Sequence, residues 1–364
     1  MSLWPPTASR PDSVGPRPSF FACSFFRSSF PAALHVYVPA DANEESETLA
    51  KSDALRHIEP LVEEMYEAHK GKQRYWWPSD FLPADEQMSD DEEKNLAALR
   101  ERARVVPDEL RVAVVLGLLT EEGLPHFHRL ISKYIGDDSV WGKWNYLWTA
   151  EEDRHGMILH DYVRDARLFR MKEVEMMQFA YQEAGFDPSW DKDPYRVFVY
   201  TTLQERATQI THRNTGKMIG DNEPVIRGIF QNVAADEAKH FSFYRRVFKA
   251  ILDVDPNRAL QSALAIMPAI DMPGVSMPDF KEMADVVRRS GIYGPWDYKE
   301  IVEEAIDFWK IEALTGLSEA GRKAQDKILA IPARLQRVAE YIEARSTAKS
   351  FSFKFIYERA FQMA

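Results

Sequence analysis

Two segments of the sequence place a glutamate three residues before a histidine. Glu152 precedes His155 in WTAEEDRHG, and Glu237 precedes His240 in ADEAKH. Residues i and i+3 are neighbours on one face of an α-helix, so each pair can point at one metal ion. A single pair is a weak signal, since about one is expected by chance in a Glu-rich chain with nine histidines. Two such pairs favour a metal site.

A further glutamate precedes each pair at a matched distance. Glu121 lies 31 residues before Glu152, and Glu205 lies 32 residues before Glu237. The chain therefore repeats a unit: a helix with Glu, a connection, and a helix with Glu-x-x-His. Two antiparallel helix pairs of this kind form a four-helix bundle with four carboxylates and two imidazoles inside. Burying four carboxylates without cations is prohibitively costly, so the pattern predicts two metal ions.

The types of the six residues indicate which metals fit. Carboxylate-rich sites with two imidazoles and no thiolate suit iron or manganese, whereas structural zinc sites favour Cys and His. The six residues resemble the ligand set of ferritin-like di-iron and di-manganese bundles. The alternative interpretation is that the glutamates lie on the surface and the histidines are core residues with hydrogen-bond partners. This alternative would have to be true at all six positions, despite their matched spacing.

The elements that would position these residues are helical. Helical periodicity begins near Glu45, strand alternation is nearly absent, and the stretch 267–280 is a Pro-punctuated loop. Pro125 should kink or break the first long helix. The clearest predicted helices cover 108–135, 140–168, 171–185, 193–216, 223–252, 297–314 and 333–344. The sequence thus predicts an all-α fold, a ferritin-like four-helix bundle with additional flanking helices.

Composition limits the classes of function. The chain has 364 residues and a formal net charge of −11, which argues against nucleic-acid binding because phosphates need a basic footprint. Its single cysteine, Cys23, excludes a disulfide framework and favours a reducing compartment. No apolar run is long enough to span a bilayer, so we expect no transmembrane segment.

The N-terminal stretch differs from the rest. Seven of the 21 prolines fall within the first 39 residues, and Asp12 is the single acid before Asp41. We predict that residues 1–48 are a disordered or targeting extension and that 49–364 form a single helical domain. The expected location is the cytoplasm, or the plastid if residues 1–45 act as a transit peptide.

At these residues the sequence resembles the soluble acyl-[acyl-carrier-protein] desaturases, from about Leu55 to the C-terminus. The resemblance is carried by WTAEEDRHG and ADEAKH, and by QERAT (204–208), THRNTG (211–216), WPSDFLP (77–83) and LTGLSEAGRKAQD (314–326). It implies an oxidoreductase of fatty acid biosynthesis that forms a homodimer. Such an enzyme uses O2 and electrons from ferredoxin to introduce a cis double bond into an acyl chain held on acyl carrier protein.

The resemblance also implies the role of each ligand. Two iron ions would be bridged by Glu152 and Glu237, with Glu121 and Glu205 as terminal carboxylates. His155 would bind one iron and His240 the other, completing the six-residue metal set.

Four further residues match functional positions of that family. Thr208 matches a threonine near the O2 pocket, although a helical threonine is commonly bonded to its own backbone. Asp236 could orient His155 through its ring N–H, and with Trp76 it matches an electron route to the metals. Trp148 matches another family tryptophan, and core packing is the alternative for both tryptophans.

Rival functions remain at this point. Another O2-activating di-iron oxidase or hydroxylase could use the same bundle, and a different class is an iron-storage or metal-binding helical protein. A metal-free helical interaction protein is a third. Docking of an acidic acyl carrier would need a basic patch, for which the candidates are Arg245, Arg246 and Lys249, or Arg288 and Arg289.

Overall fold

The computed structural model describes residues 41–82, 90–186, 188, 193–270 and 272–364. Cys23 and most of the predicted N-terminal extension lie outside these ranges. The division at residue 48 therefore stays a prediction. In the described ranges, no helix combines the length and apolarity that a bilayer crossing requires.

The described chain is helical almost throughout, which confirms the predicted all-α class. A short antiparallel hairpin near the C-terminus is the departure, pairing Lys349 with Met363. The helices are α1 (Asp41–Lys72), α2 (Asp90–Ala103), α3 (Asp108–Glu121), α4 (Leu124–Ile135), α5 (Ser139–Ala166), α6 (Met171–Ala184), α7 (Pro194–Ile219), α8 (Pro224–Val254), α9 (Pro256–Ile266), α10 (Phe280–Arg289), α11 (Pro295–Phe308), α12 (Glu319–Leu329) and α13 (Ile331–Ala344); the strands are β1 (Lys349–Phe351) and β2 (Phe361–Met363).

Four helices form the central bundle. α3 packs along α5, α7 packs along α8, and contacts of α3 with α7 and of α5 with α8 close the ring. The flanking helices cover it: α1 lies on α5 and α8, and α10 lies on α3. These are the helix pairs that the repeated Glu and Glu-x-x-His unit predicts, so the ferritin-like bundle with flanking helices is confirmed.

Two helix boundaries test the predictions in detail. The expected break near Pro125 is confirmed: α3 ends at Glu121 and α4 begins at Leu124, with the proline in its first turn, where its missing N–H costs nothing. The prediction of one helix over 297–314 is wrong at its end. α11 stops at Phe308 because Lys310 takes a left-handed conformation with φ of 53°, which ends α-helical hydrogen bonding.

Candidate metal centre

The six predicted ligands converge in the middle of the bundle. All are buried, and their ligand atoms fall into two overlapping groups in which every atom lies within 4.8 Å of the others. One group is Glu121, Glu152, His155 and Glu237, and the other is Glu152, Glu205, Glu237 and His240. Glu152 and Glu237 belong to both groups. This geometry suits two ions that share two carboxylates.

Several buried atoms inside the cluster lack protein partners. Oε1 of Glu152, Oε2 of Glu205 and Nδ1 of His240 make no hydrogen bond. Nδ1 of His240 does lie 2.7 Å from Oε1 of Glu152, but the two are not aligned for hydrogen bonding. Unpaired buried polar atoms cost free energy, and metal coordination would relieve that cost. The residues present therefore fit a carboxylate-bound pair of cations.

The carboxylates also repel one another. Burial, reinforced by the charge of Glu237, raises the pKa of Glu205 well above its ordinary value and raises that of Glu152. Glu121 behaves differently: burial acts to raise its pKa, but hydrogen bonds from His155 and His212 outweigh burial and lower it. Positive charge is thus needed most around Glu205 and Glu152.

Asp236 lies behind His155, as the sequence predicted. Its Oδ2 is 3.5 Å from Nε2 of His155, while Nδ1 of that ring faces the ligand carboxylates. Nε1–H of Trp76 donates to Asp236 over 2.8 Å, and the Trp76 ring lies parallel to the His155 ring at 6.0 Å. Arg154 and Lys239 pair with the same carboxylate at 3.3 and 2.8 Å.

Glu151 lies behind His240, and sequence reasoning missed it. Its Oε2 is 2.8 Å from Nε2 of His240 and 3.0 Å from Nε2 of His69, and Gln73 donates to its other oxygen. Burial acts to raise the pKa of Glu151, but hydrogen bonds from both histidines outweigh it and lower the value to about 2. A signal was available, because Glu151 directly precedes Glu152 as Asp236 directly precedes Glu237.

The terminal carboxylates have unlike partners. Glu121 lies 2.7 Å from Nε2 of His212, a residue that sequence reasoning also missed, whereas Glu205 accepts from Nε1–H of Trp148 at 3.1 Å. Trp148 is therefore both a core residue and a partner of a candidate ligand.

The Thr208 hydroxyl makes the backbone contact expected of a helical threonine and also contacts a candidate ligand, and its match to a threonine near the O2 pocket stays a prediction. The Oγ1 atom lies 3.0 Å from the carbonyl oxygen of Glu205 and 2.9 Å from Oε2 of Glu237. A hydroxyl has one proton, so it donates to one of these oxygens at a time.

An apolar cavity of about 160 Å³ opens beside the cluster. Its wall includes Glu121, Glu152 and Thr208 at the candidate metal centre, and Phe280 and Arg288 on α10. Of the two predicted basic patches, the one with Arg288 therefore borders the cavity. Arg245, in the other patch, instead pairs with Glu304 and stacks on Phe241 and Phe308.

Comparisons with known proteins agree with this geometry. A family described as fatty acid desaturase matches residues 50–357. The chain is 32% identical over 326 residues to an acyl-[acyl-carrier-protein] desaturase of Cucumis sativus and to a stearoyl-[acyl-carrier-protein] 9-desaturase of Ricinus communis, both chloroplastic, covering 85% of this chain and 82% of each relative. A palmitoyl-[acyl-carrier-protein] 4-desaturase of Coriandrum sativum is 31% identical over 338 residues, covering 84% of this chain and 87% of the relative.

One solved structure is similar in fold. The X-ray structure of DesA2 from Mycobacterium tuberculosis H37Rv has a TM-score of 0.50 at 19% sequence identity and covers 75% of this chain and 99% of that one. At this identity the likeness concerns the fold alone.

Proposed function

The chain belongs to the fatty acid desaturase family, and on that premise we propose that it is an acyl-[acyl-carrier-protein] desaturase that forms a cis double bond in a saturated acyl chain. One observation carries the proposal. Four buried carboxylates and two imidazoles form two groups that have two carboxylates in common, and two of the carboxylates, Glu121 and Glu152, line an apolar cavity. Named relatives act on acyl groups carried by acyl carrier protein, and we extend that substrate class to this chain.

The reaction explains why a redox metal centre would be needed. An unactivated methylene C–H has no useful acidity, so a general base cannot begin the reaction. Two iron ions, when bound, would supply O2-dependent oxidation, which is chemistry that protein side chains lack. The reaction balances when the acyl chain loses two hydrogens, O2 is reduced to two waters, and ferredoxin supplies two electrons with two protons from solvent.

The protein's own residues would hold and align the reactants. Glu152 and Glu237, which belong to both ligand groups, would hold both ions, and His155 and His240 would each hold one of them. Glu121 and Glu205 would complete the set as terminal ligands. The cavity would exclude water and keep the acyl chain extended beside Thr208, whose hydroxyl restrains Glu237.

Two observations weigh against the rival functions. Iron storage does not require an apolar cavity at the carboxylate cluster, and a metal-free interaction protein does not require six buried ligand residues. A hydroxylase on the same bundle is separated by its product, which is an alcohol rather than an alkene. The double-bond position stays open, since the matching relatives include a 9-desaturase and a 4-desaturase at nearly equal identity.

The direct test is product analysis with the full chain. The protein is loaded with Fe²⁺, mixed with ferredoxin, its reductase, O2 and stearoyl-acyl-carrier-protein, and the fatty acids are analysed by mass spectrometry. We expect a monounsaturated product from the protein and from Glu300→Gln, an exposed control, and none from Glu237→Gln. A hydroxylated product, or no product with stearoyl and palmitoyl carriers alike, would contradict the proposal.

Assembly and location are proposed with the function. We propose a homodimer, which sedimentation of the purified chain tests. For the compartment we propose the cytoplasm, with the plastid as the alternative if residues 1–45 are a transit peptide. A fluorescent protein fused behind residues 1–48 separates the two in plant cells, because plastid import of the fusion would favour the transit peptide.

A further inference from the structure

The short helix α10 forms one wall of the apolar cavity. Four of its side chains line that space, namely Phe280, Ala284, Val287 and Arg288. Their spacing of three and four residues places them on one face of the helix. α10 has ten residues, and Asp279 before it and Gly291 after it take left-handed conformations with φ of 58° and 70°. A helix this short is marginal on its own, so its position depends on what packs against it.

A second face of α10 packs into the bundle. Met283 and Val286 are fully buried and belong to the same hydrophobic cluster as Val115 and Leu119 of α3. Burial of these side chains holds α10 on α3, but the hydrophobic effect is non-directional. The rotation of α10 and its position along α3 are therefore fixed more narrowly by polar contacts, whose geometry is directional.

The third face of α10 binds the C-terminal hairpin of β1 and β2. Asp285 and Arg289 lie one turn apart on this face, and both side chains are mostly buried. Oδ2 of Asp285 is 3.1 Å from Nζ of Lys349 on β1. The guanidinium of Arg289 donates to Oδ1 of Asp285 over 3.0 Å and to the carbonyl oxygen of Thr347 over 2.8 Å. Burial acts to raise the pKa of Asp285, but hydrogen bonds from Arg288 and Lys349 outweigh burial and lower it.

The hairpin is anchored to other helices at its far side. Arg359 pairs with Asp108 at the start of α3 over 2.5 Å. The backbone N–H of Arg170, which precedes α6, donates to the carbonyl oxygen of Phe355 over 2.8 Å. Aromatic rings of the hairpin region also pack against one another, namely Phe351, Phe353, Phe355 and Phe361. The hairpin is therefore a support, fixed to α3 and α6, against which α10 is held.

We propose that Asp285, Arg289 and Lys349 form a clamp that holds α10 on the hairpin and thereby determines which acyl chain length the cavity accepts. The inference rests on the proposed function, which assigns the cavity to a saturated acyl chain. A clamped α10 keeps the wall in place, so a chain of one length fits best. A released α10 lets the wall move, and chains of neighbouring lengths then bind with more similar affinity.

The clamp acts on the substrate through α10. The described residues that line the cavity do not include Asp285, Arg289 or Lys349. An effect of Arg289 or Lys349 on acyl binding must therefore pass through the position of the helix, which makes both of them positioning residues. Asp285 is a less direct probe, because it also binds Arg288, a residue of the cavity wall, over 2.6 Å.

The first measurement tests the clamp without metal or substrate. Amide hydrogen exchange of the metal-free full chain is followed by mass spectrometry. We expect Arg289→Met to speed exchange in α10 about tenfold, since it removes the bonds to both Asp285 and Thr347. Lys349→Met should speed it about twofold, because the Lys349 side chain is 44% exposed and its ion pair is weaker. Exchange in α10 that is unchanged in both variants, or that rises equally in α3, overturns the clamp.

The second measurement tests chain selection by binding rather than by turnover. Stearoyl- and palmitoyl-acyl-carrier-protein are each titrated calorimetrically into the same metal-free protein. In the unaltered chain we expect the two Kd values to differ about tenfold, because the acyl groups differ by two methylenes in a confined site. Arg289→Met should reduce that ratio to about threefold or less. A ratio that Arg289→Met leaves unchanged, or a ratio near one in the unaltered chain, overturns the role in chain selection.

Matched controls remove similar contacts elsewhere. Arg100→Met on α2 removes a guanidinium that donates to the carbonyl oxygen of Asp165 over 3.1 Å. Lys143→Met on α5 removes an ion pair with Glu63 of α1, and Lys143 is 53% exposed. Neither variant should change hydrogen exchange in α10 or the ratio of the two Kd values. Controls that reproduce the effects of Arg289→Met in both measurements overturn the clamp.

The two measurements separate failure of this inference from failure of the proposed function. Lys349→Arg keeps a cation beside Asp285 and should behave as the unaltered chain in both. If the unaltered protein binds neither acyl carrier, the proposed function is contradicted and the role in chain selection falls with it, while hydrogen exchange still decides the clamp. If both carriers bind and Arg289→Met keeps the ratio, the proposed substrate class stands and the inference is overturned.

Discussion

The two halves of the metal centre have the same ligand spacing and different surroundings. In the half formed by α3 and α5, His155 is backed by Asp236, which is bound by Trp76 and by the cations of Arg154 and Lys239. In the half formed by α7 and α8, His240 is backed by Glu151, which is enclosed by His69 and, beyond it, by the fully buried Trp144. The repeat therefore fixes the ligands, while the neighbouring side chains give each half different surroundings.

The backing carboxylates cross between the halves. Asp236 lies on α8 and backs a histidine of α5, whereas Glu151 lies on α5 and backs a histidine of α8. Each helix thus supplies a shared carboxylate, a histidine and the partner of the other helix's histidine. Such cross-bracing fixes the spacing of α5 and α8, which sets the separation of the two candidate ion positions.

The largest expected effect tests what the halves have in common. Glu152→Ala and Glu237→Ala each remove a carboxylate that belongs to both ligand groups. We expect both variants to hold less than one iron per chain and to lose more than about 100-fold in desaturase activity. Iron is measured by plasma mass spectrometry, with Glu300→Gln as the control. Retention of two irons by either variant would contradict the symmetric arrangement.

The next effect tests how the halves differ. Asp236→Asn leaves the buried guanidinium of Arg154 without its carboxylate, so the free energy of unfolding should fall by about 3 kcal/mol. Glu151→Gln keeps an amide that can still hydrogen-bond the imidazoles of His69 and His240, so the free energy of unfolding should fall by only about 1 kcal/mol. Urea denaturation of the metal-free protein compares them, with exposed Asp253→Asn as the control. Equal losses would show that the surroundings of the halves are energetically alike.

A smaller effect concerns the terminal carboxylates. His212→Ala removes the 2.7 Å contact to Glu121 and should weaken iron binding about tenfold, the lower end of what outer partners contribute. Trp148→Phe keeps a buried aromatic ring and removes the N–H that donates to Glu205, so iron affinity should fall only about threefold. Competition with a chelator gives both values. If Trp148→Phe weakened iron binding more than His212→Ala, the hydrogen bond from Trp148 would contribute more to iron affinity than the His212 contact, contrary to this prediction.

The smallest effect uses the residue that follows each terminal carboxylate. Arg206 follows Glu205 and forms an ion pair with Glu304. Glu122 follows Glu121, and burial raises its pKa from 4.5 to about 7. The folded state therefore favours protonated Glu122, and ionisation destabilises the fold increasingly as pH rises from about 4.5 to about 7. In the metal-free protein, Glu122→Gln should raise the free energy of unfolding by about 1 kcal/mol at pH about 8, a value reduced for the partial exposure of the side chain. At pH about 4 it should leave the free energy of unfolding unchanged. Thermal unfolding at both values checks this, and a gain at pH about 4 would contradict it.

The sequence alone determined the six candidate ligands and the bundle that holds them. Glu152 with His155, and Glu237 with His240, are recognisable because the i,i+3 spacing is a local property of one helix. The break at Pro125 was predictable for the same reason, since a missing N–H acts within one turn. The end of α11 was not, because apolar periodicity continues through 309–314 while the backbone turns at Lys310.

Of the residues that stand behind the ligands, the family resemblance had offered Asp236 with Trp76, whereas only the tertiary structure revealed Glu151, His69 and His212. His69 reaches Glu151 across 82 positions of sequence, His212 reaches Glu121 across 91, and Trp76 reaches Asp236 across 160. Such contacts depend on how whole helices pack, and no spacing rule along a single helix encodes them. The ligands could be predicted because an α-helix brings residues a few positions apart onto one face. Most of their partners could not be predicted, because packing brings together side chains that are far apart along the chain.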